Sequence, residues 1–170
     1  ITELAVKKCL DHLSISFNSN TKCTIFSIED EQFFLFLELT SKSNDNYQNL
    51  VIDSKSNMRC MRRTSANGNT FEKWERDANG KQKCDLKTLA NGETYKNWER
   101  DANGKEKCDL VTLATGSTFE KWERDANGKE KCDLKTLDNG ETYKNWEMDA
   151  NKKQKCDLKT LANGETYKNW

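Results

Sequence analysis

A tandem repeat constrains the fold of this chain more than any other feature. Tryptophan and cysteine each recur every twenty-four positions, here called the repeat period, and glycine recurs about twice as often, so each unit has two halves with a turn in each. Half a period suits one strand and a three-residue turn, and is too short for a helical pair with its loops. We therefore predict an antiparallel meander of about nine strands over residues 66–170, built from hairpin repeats. The recurring positions are Trp74, Trp98, Trp122, Trp146 and Trp170, with Cys60, Cys84, Cys108, Cys132 and Cys156.

Cross-strand charges predict the length of the turn in the segment Asp-Ala-Asn-Gly-Lys. A two-residue loop would place Asp101 opposite Glu106 and Arg100 opposite Lys107, which are like charges. A three-residue loop instead places Arg100 opposite Glu106 and Glu99 opposite Lys107. Opposite charges across a strand pair contribute roughly 0.2–1 kcal/mol each, and like charges destabilise. We predict the three-residue loop, with its glycine in the left-handed conformation of a G1 bulge.

Ordinary alternation along a strand then sorts the side chains into two faces. One face receives the tryptophans, the cysteines and the leucines Leu86, Leu110, Leu134 and Leu158. The other receives a ladder of charged side chains, acidic in one strand and mostly lysine in the next. It also receives Phe71, Tyr95, Phe119, Tyr143 and Tyr167. The tryptophan face is then exposed, folded onto itself, or covered by another molecule.

Residues 1–59 continue a similar rhythm of turn-like clusters but differ in composition. Thr2–Leu13 has the pattern of an amphipathic helix, with Thr2 as a candidate N-cap. The following apolar segments are predicted strands that are apolar on both faces: 21–28, 32–40, 50–53 and 58–63. The predicted fold class is α+β, with one N-terminal helix on an antiparallel sheet. The predicted domains are residues 1–59 and the hairpin repeats of 60–170, about 4.5 copies in one continuous sheet.

Composition argues against several classes of function. The chain has 28 basic and 28 acidic residues, so no field of one sign favours nucleic acid or a membrane surface. No apolar run reaches the length of a bilayer span. Seven cysteines without a Cys-x-x-Cys pair predict reduced thiols and a cytoplasmic location.

The sequence offers no set of residues that predicts catalysis or a cofactor. His12 is the only histidine, and no credible Ser-His-Asp or Cys-His arrangement surrounds it. Paired carboxylates such as Glu99 and Asp101 recur with their neighbours, whereas an active site is normally a single place. Cysteines two strands apart lie at about 9.6 Å, too far for a disulfide, and one ligand per unit does not enclose a metal. We predict a protein that is not an enzyme and has no cofactor or metal.

The pattern Gly-x-x-[Tyr/Phe]-x-x-Trp-x-x-Asp-Ala-Asn-Gly-Lys resembles a known kind of repeat. Bacterial and phage proteins carry short tandem units of the type aromatic-x-x-Asp-x-Asn-Gly, which are similar by pattern to the YD repeats of Rhs proteins and to MORN-type hairpin repeats. The resemblance covers residues 66–170 and implies an array of β-hairpins. It implies little about function, and residues 1–59 show no such resemblance.

The tryptophan column has two interpretations, namely packing within a thin sheet or a face that binds a partner. The second predicts a non-catalytic protein-binding scaffold, by analogy with bacterial or phage inhibitors and immunity proteins that occlude a macromolecular partner. One alternative is a structural protein that self-associates through this face or through the edge at 165–170. Another is a protein that stacks single-stranded nucleic acid on aromatic and basic residues. The predicted partner-binding residues are Trp74, Trp98, Trp122, Trp146, Arg76, Arg100 and Arg124.

Overall fold

A computed structural model describes residues 23–170, and every regular element in this range is a β-strand. The α+β class is therefore wrong, and the described chain is an all-β antiparallel structure. The physical reason is the rhythm of turns, which begins at the first described hairpin and leaves only strand-length segments between reversals. The predicted helix Thr2–Leu13 lies outside the described residues.

Fourteen strands are present in residues 23–170, and all their described pairings are antiparallel. The four apolar segments upstream of the repeats form strands, as predicted. β12 and β13 together occupy one strand position, so the repeats contain the nine positions that the period predicts. The strands are β1 Cys23–Ile28, β2 Glu31–Thr40, β3 Asn46–Asp53, β4 Met58–Thr64, β5 Thr70–Arg76, β6 Gln82–Thr88, β7 Thr94–Arg100, β8 Glu106–Thr112, β9 Thr118–Arg124, β10 Glu130–Thr136, β11 Thr142–Met148, β12 Gln154–Lys155, β13 Leu158–Thr160 and β14 Thr166–Lys168.

The chain divides into two compact units, Ile1–Asp85 and Leu86–Trp170, and the division falls within β6. In the described part of the first unit the strand order is β1-β2-β3-β4-β5. In the second it is β7-β8-β9-β10-β11-β13-β14, with β12 also paired to β11. Within each unit the principal contacts between described strands join ladder neighbours. This nearest-neighbour pattern is typical of repeat proteins.

The three-residue loop is confirmed. The Asp101 amide donates to the Lys105 carbonyl at 3.0 Å, and the Gly104 amide donates to the Asp101 carbonyl at 3.2 Å. Gly104 has a φ of 85°, the left-handed conformation that a G1 bulge requires. The predicted register is confirmed as well, because Arg100 lies opposite Glu106 in the β7–β8 ladder.

The predicted division of side chains between the two faces is wrong, because every second strand contains one residue in the left-handed conformation. Asn97 has a φ of 52° in the middle of β7 and interrupts the alternation of side chains. Tyr95 and Trp98, three positions apart, are consequently both buried. The Asn97 amide group donates to the Asp109 carboxylate at 2.8 Å. The equivalent positions also have positive φ: Asn49, Lys73, Lys121, Asn145 and Asn169.

The interior of each unit consists of aromatic rings that meet two strands apart. In the second unit the ring of Tyr95 in β7 lies 5.4 Å from that of Trp122 in β9. Phe119 and Trp146 repeat this contact at 5.3 Å between β9 and β11. In the first unit Tyr47 lies 5.7 Å from Trp74. The buried cysteines of the repeat complete the interior, and Cys108 lies directly opposite Trp122.

Candidate protein-binding surface

The tryptophan column is covered by the chain itself. Trp74, Trp98, Trp122 and Trp146 are at most 3% exposed, whereas Trp170 is 40% exposed. Part of the cover comes from long cationic side chains, since the Lys135 ammonium lies 4.5 Å from the centre of the Trp146 ring. The rings of Phe119 and Tyr143 lie 5.3 and 5.4 Å from the same ammonium. Of the three arrangements that the sequence allows, the column is therefore folded onto itself.

The three arginines predicted to bind a partner have different surroundings. Arg124 forms an ion pair with the buried Glu106 and lies 5.3 Å from the centre of the Trp122 ring. Arg76 donates to the Met58 sulfur at 3.1 Å, and Arg100 is exposed. The four tryptophans thus form the interior, while these arginines line its margin. A partner-binding role for these seven residues stays a prediction.

In the repeats, the opposite face carries the salt ladder that the charge pattern predicts. Lys107 pairs with Glu99 at 3.4 Å, and Lys131 pairs with Glu123 at 3.2 Å. Ion pairs at the same positions of other copies are Lys83–Glu75 at 3.3 Å and Lys155–Glu147 at 3.4 Å. Each lysine is more than half exposed, so these pairs set the register more than they stabilise the fold.

In the first unit, apolar side chains replace the charges at equivalent positions of this ladder face. Val51 stands one repeat period before Glu75, and Met61 stands one repeat period before Asp85. Val51 lies opposite Leu35 on one side and Arg59 on the other. Leu37 is 74% exposed and Met61 is 62% exposed. Leu35, Leu37, Val51 and Met61 are called the apolar patch below.

A groove of about 430 Å³ adjoins the apolar patch and shares Val51 with it. Its volume falls in the range that ligand-binding clefts occupy. All of its lining residues lie in the first unit. They are the apolar Phe33, Val51 and Met58, the arginines Arg59 and Arg76, and the polar Asp53, Asn57, Glu75 and Asp77.

The carboxylates of the groove are engaged by groups of this chain. The Asp53 carboxylate accepts from the backbone amide of Asn57 at 2.9 Å, and that of Asp77 accepts from the amide of Asn79 at 2.9 Å. Glu75 pairs with Lys83. Among the described residues no cluster of histidine, cysteine, aspartate and glutamate side chains is arranged to hold a metal ion. The groove therefore combines apolar contact surface with the exposed guanidinium of Arg59.

The apolar patch was not predicted, although the N-terminal strands were expected to be apolar on both faces. The repeat period would have indicated the apolar patch if it had been extended upstream. One period before the ladder residue Glu75 stands Val51, and one period before Asp85 stands Met61. Because the repeats were predicted to begin at residue 60, Val51 was not compared with Glu75, and the replacement of a charged residue by an apolar one was missed.

No family model and no curated protein matches this chain. Among solved structures, it is similar to the TCP domain of SAS-4 (dCPAP) of Drosophila melanogaster, solved in complex with a proline-rich motif of Ana2 (dSTIL). The identity is 14%, the match covers 76% of this chain and 86% of that chain, and the TM-score is 0.20. A similarity at this level carries no argument about function. Within the described residues, no helix has the length and apolar character needed to cross a membrane.

Proposed function

We propose that this protein is a non-catalytic scaffold that binds another protein through the apolar patch of its first unit. The single observation that carries the proposal is the exchange of ladder charges for exposed apolar side chains at Leu37 and Met61. Exposed apolar groups that adjoin a groove mark interaction surfaces more often than isolated ones do.

The rest of the described structure supports a scaffold. Apart from Tyr167 and Trp170, the repeats bury their aromatic residues within their own strands, and they present an ion-paired surface to solvent. Such a surface gains little from contact with a partner, because its charges are already satisfied and exposed pairs contribute little. Binding energy is therefore available mainly where the charges are absent.

The test compares proteins captured by the full chain with those captured by the double variant Leu37→Asp/Met61→Asp. We expect one or more captured proteins to be lost on the double variant and retained on the matched control Asp109→Asn/Asp133→Asn, which changes exposed positions of the repeats. Circular dichroism confirms that both variants remain folded. Retention of every captured protein by the double variant would refute the proposal.

A narrower form of the proposal makes the bound protein an enzyme that the scaffold occludes in a reducing cytoplasm. It requires that the activity of the captured protein falls in proportion to added scaffold. Full activity at saturation would leave the scaffold role but remove the inhibitory one.

A further inference from the structure

We propose that the partner presents a carboxylate to Arg59, next to an apolar side chain that enters the groove beside Phe33 and Val51. The inference rests on the proposed function and specifies the chemistry of its partner: a protein segment with an aspartate or glutamate beside a large apolar residue.

Arg59 occupies the cationic position of the salt ladder but lacks the anion that the repeats supply. Lys107, which stands two repeat periods later, pairs with Glu99 of the preceding strand at 3.4 Å. The residue of the preceding strand opposite Arg59 is Val51. Arg59 also lies opposite Glu75, whose carboxylate pairs with Lys83. Among the described residues Arg59 is exposed and forms no ion pair, so its charge is available to an external carboxylate.

Arg76 shows the same departure from the repeat. Arg124, which stands two repeat periods later, pairs with Glu106 in the strand before it. The residue of the preceding strand opposite Arg76 is Met58, and the guanidinium contacts the sulfur at 3.1 Å. No carboxylate of the described residues pairs with Arg76. Arg76 therefore also stands opposite an apolar residue where the copy two repeat periods later has a glutamate. Its guanidinium lies 5.8 Å from the centre of the buried Trp74 ring, on the face opposite Arg59, so Arg59 is the arginine that an external carboxylate reaches from the ladder face.

Within the groove, Arg59 has hydrogen-bond donors available to an external carboxylate, whereas the carboxylates are already engaged. The three carboxylates of the groove accept hydrogen bonds from loop amides or pair with a lysine, as described above. Arg59 forms no hydrogen bond or ion pair of this kind within the described residues. Guanidinium groups bind carboxylates in a planar, two-pronged geometry, which makes arginine well suited to this recognition.

The experiment selects short random peptides displayed on phage against the immobilised full chain, and then measures the affinity of the selected peptides for five proteins. These are the wild type, Arg59→Glu, Val51→Glu, Leu37→Asp and the matched ladder control Lys107→Glu. Val51→Glu supplies Arg59 with the anion that the repeats contain, so it removes the free charge without removing the arginine. Its fold is expected to persist, which keeps the test decisive should Arg59→Glu fail to fold.

The expected result is that selected peptides carry an acidic residue beside a large apolar one. They should lose about tenfold or more in affinity on Arg59→Glu and on Val51→Glu, and keep it on Lys107→Glu. Replacing the acidic residue of the peptide with lysine should restore binding to Arg59→Glu. Peptides that show no acidic preference, but lose binding on Leu37→Asp, would overturn the inference and leave the proposed function standing. Peptides unaffected by all of these variants would overturn both.

Discussion

The left-handed residue in the middle of every second strand makes a quantitative prediction about stability. Asn97 has a φ of 52° and bonds to Asp109 at 2.8 Å. Valine tolerates this conformation poorly, at a cost of about 1–2 kcal/mol. Loss of the hydrogen bond adds about 0.5–1 kcal/mol. Asn97→Val should therefore destabilise the chain by about 2 kcal/mol, which corresponds to a fall in Tm of about 4–8 °C for a chain of this length.

The matched control is Lys96→Val, an exposed neighbour in the same strand that lacks positive φ. It should shift the melting temperature by less than about 2 °C, because surface substitutions of this kind change stability little. Asn97→Gly should fall between the two, since glycine accepts the conformation but cannot make the bond. Thermal unfolding followed by tryptophan fluorescence measures all three. Equal stability of Asn97→Val and Lys96→Val would refute the conformational argument.

Three further predictions test the interior, the thiols and the turns. Trp146→Ala should destabilise by about 3–5 kcal/mol, and Trp170→Ala by less than half as much, because Trp146 is 1% and Trp170 40% exposed; similar urea midpoints for the two would contradict this. Burial raises the pKa of the Cys108 thiol from an ordinary 9.0 to about 12. The thiol therefore loses its proton at a lower pH in the unfolded chain than in the folded chain, and the free energy of unfolding should fall as the pH rises above 9.0. Between pH 8 and 10 the urea midpoint of the wild type should fall more than that of Cys108→Ala, and an equal change in the two proteins would contradict the prediction. Gly104→Ala should lower the free energy of unfolding by about 1 kcal/mol or more, because Gly104 has a positive φ. Ala102→Gly should lower it by less, and thermal unfolding of the two variants compares them.

Much of the fold of the repeats could be predicted from the sequence because period, turn and charge agree. Arg100 and Glu106 lie opposite each other only in the three-residue loop, so electrostatics selects one register. The division between faces could not be predicted in this way, since Asn97 and Lys121 have identical backbone roles but different chemistry. The spacing of Tyr95 and Trp98 was the available indication of a break in the alternation. Large aromatic residues three positions apart cannot share one face of a regularly alternating strand, so burial of both requires an irregular residue between them.

The candidate site could be found only by comparing equivalent positions of successive repeat units, and not from composition. Arg59 and Arg76 look like two more basic residues among 28 in the sequence. They stand out only after the register shows Val51 and Met58 opposite them. The predicted fold class was wrong for a different reason, since the helical pattern of Thr2–Leu13 is confined to the start of the chain, whereas every described element is a strand.

The contact between aromatic rings two strands apart determines how such a gene can change length. Tyr95 needs Trp122, and Phe119 needs Trp146, so each interior contact joins strands that run in the same direction. Loss or gain of one whole period by unequal recombination would preserve this pairing and the polarity of every later strand. Loss of half a period would reverse the direction of the later strands relative to the earlier ones and would separate the rings on either side of the deletion from their partners. Descendants of this gene should therefore gain and lose whole hairpins more often than single strands.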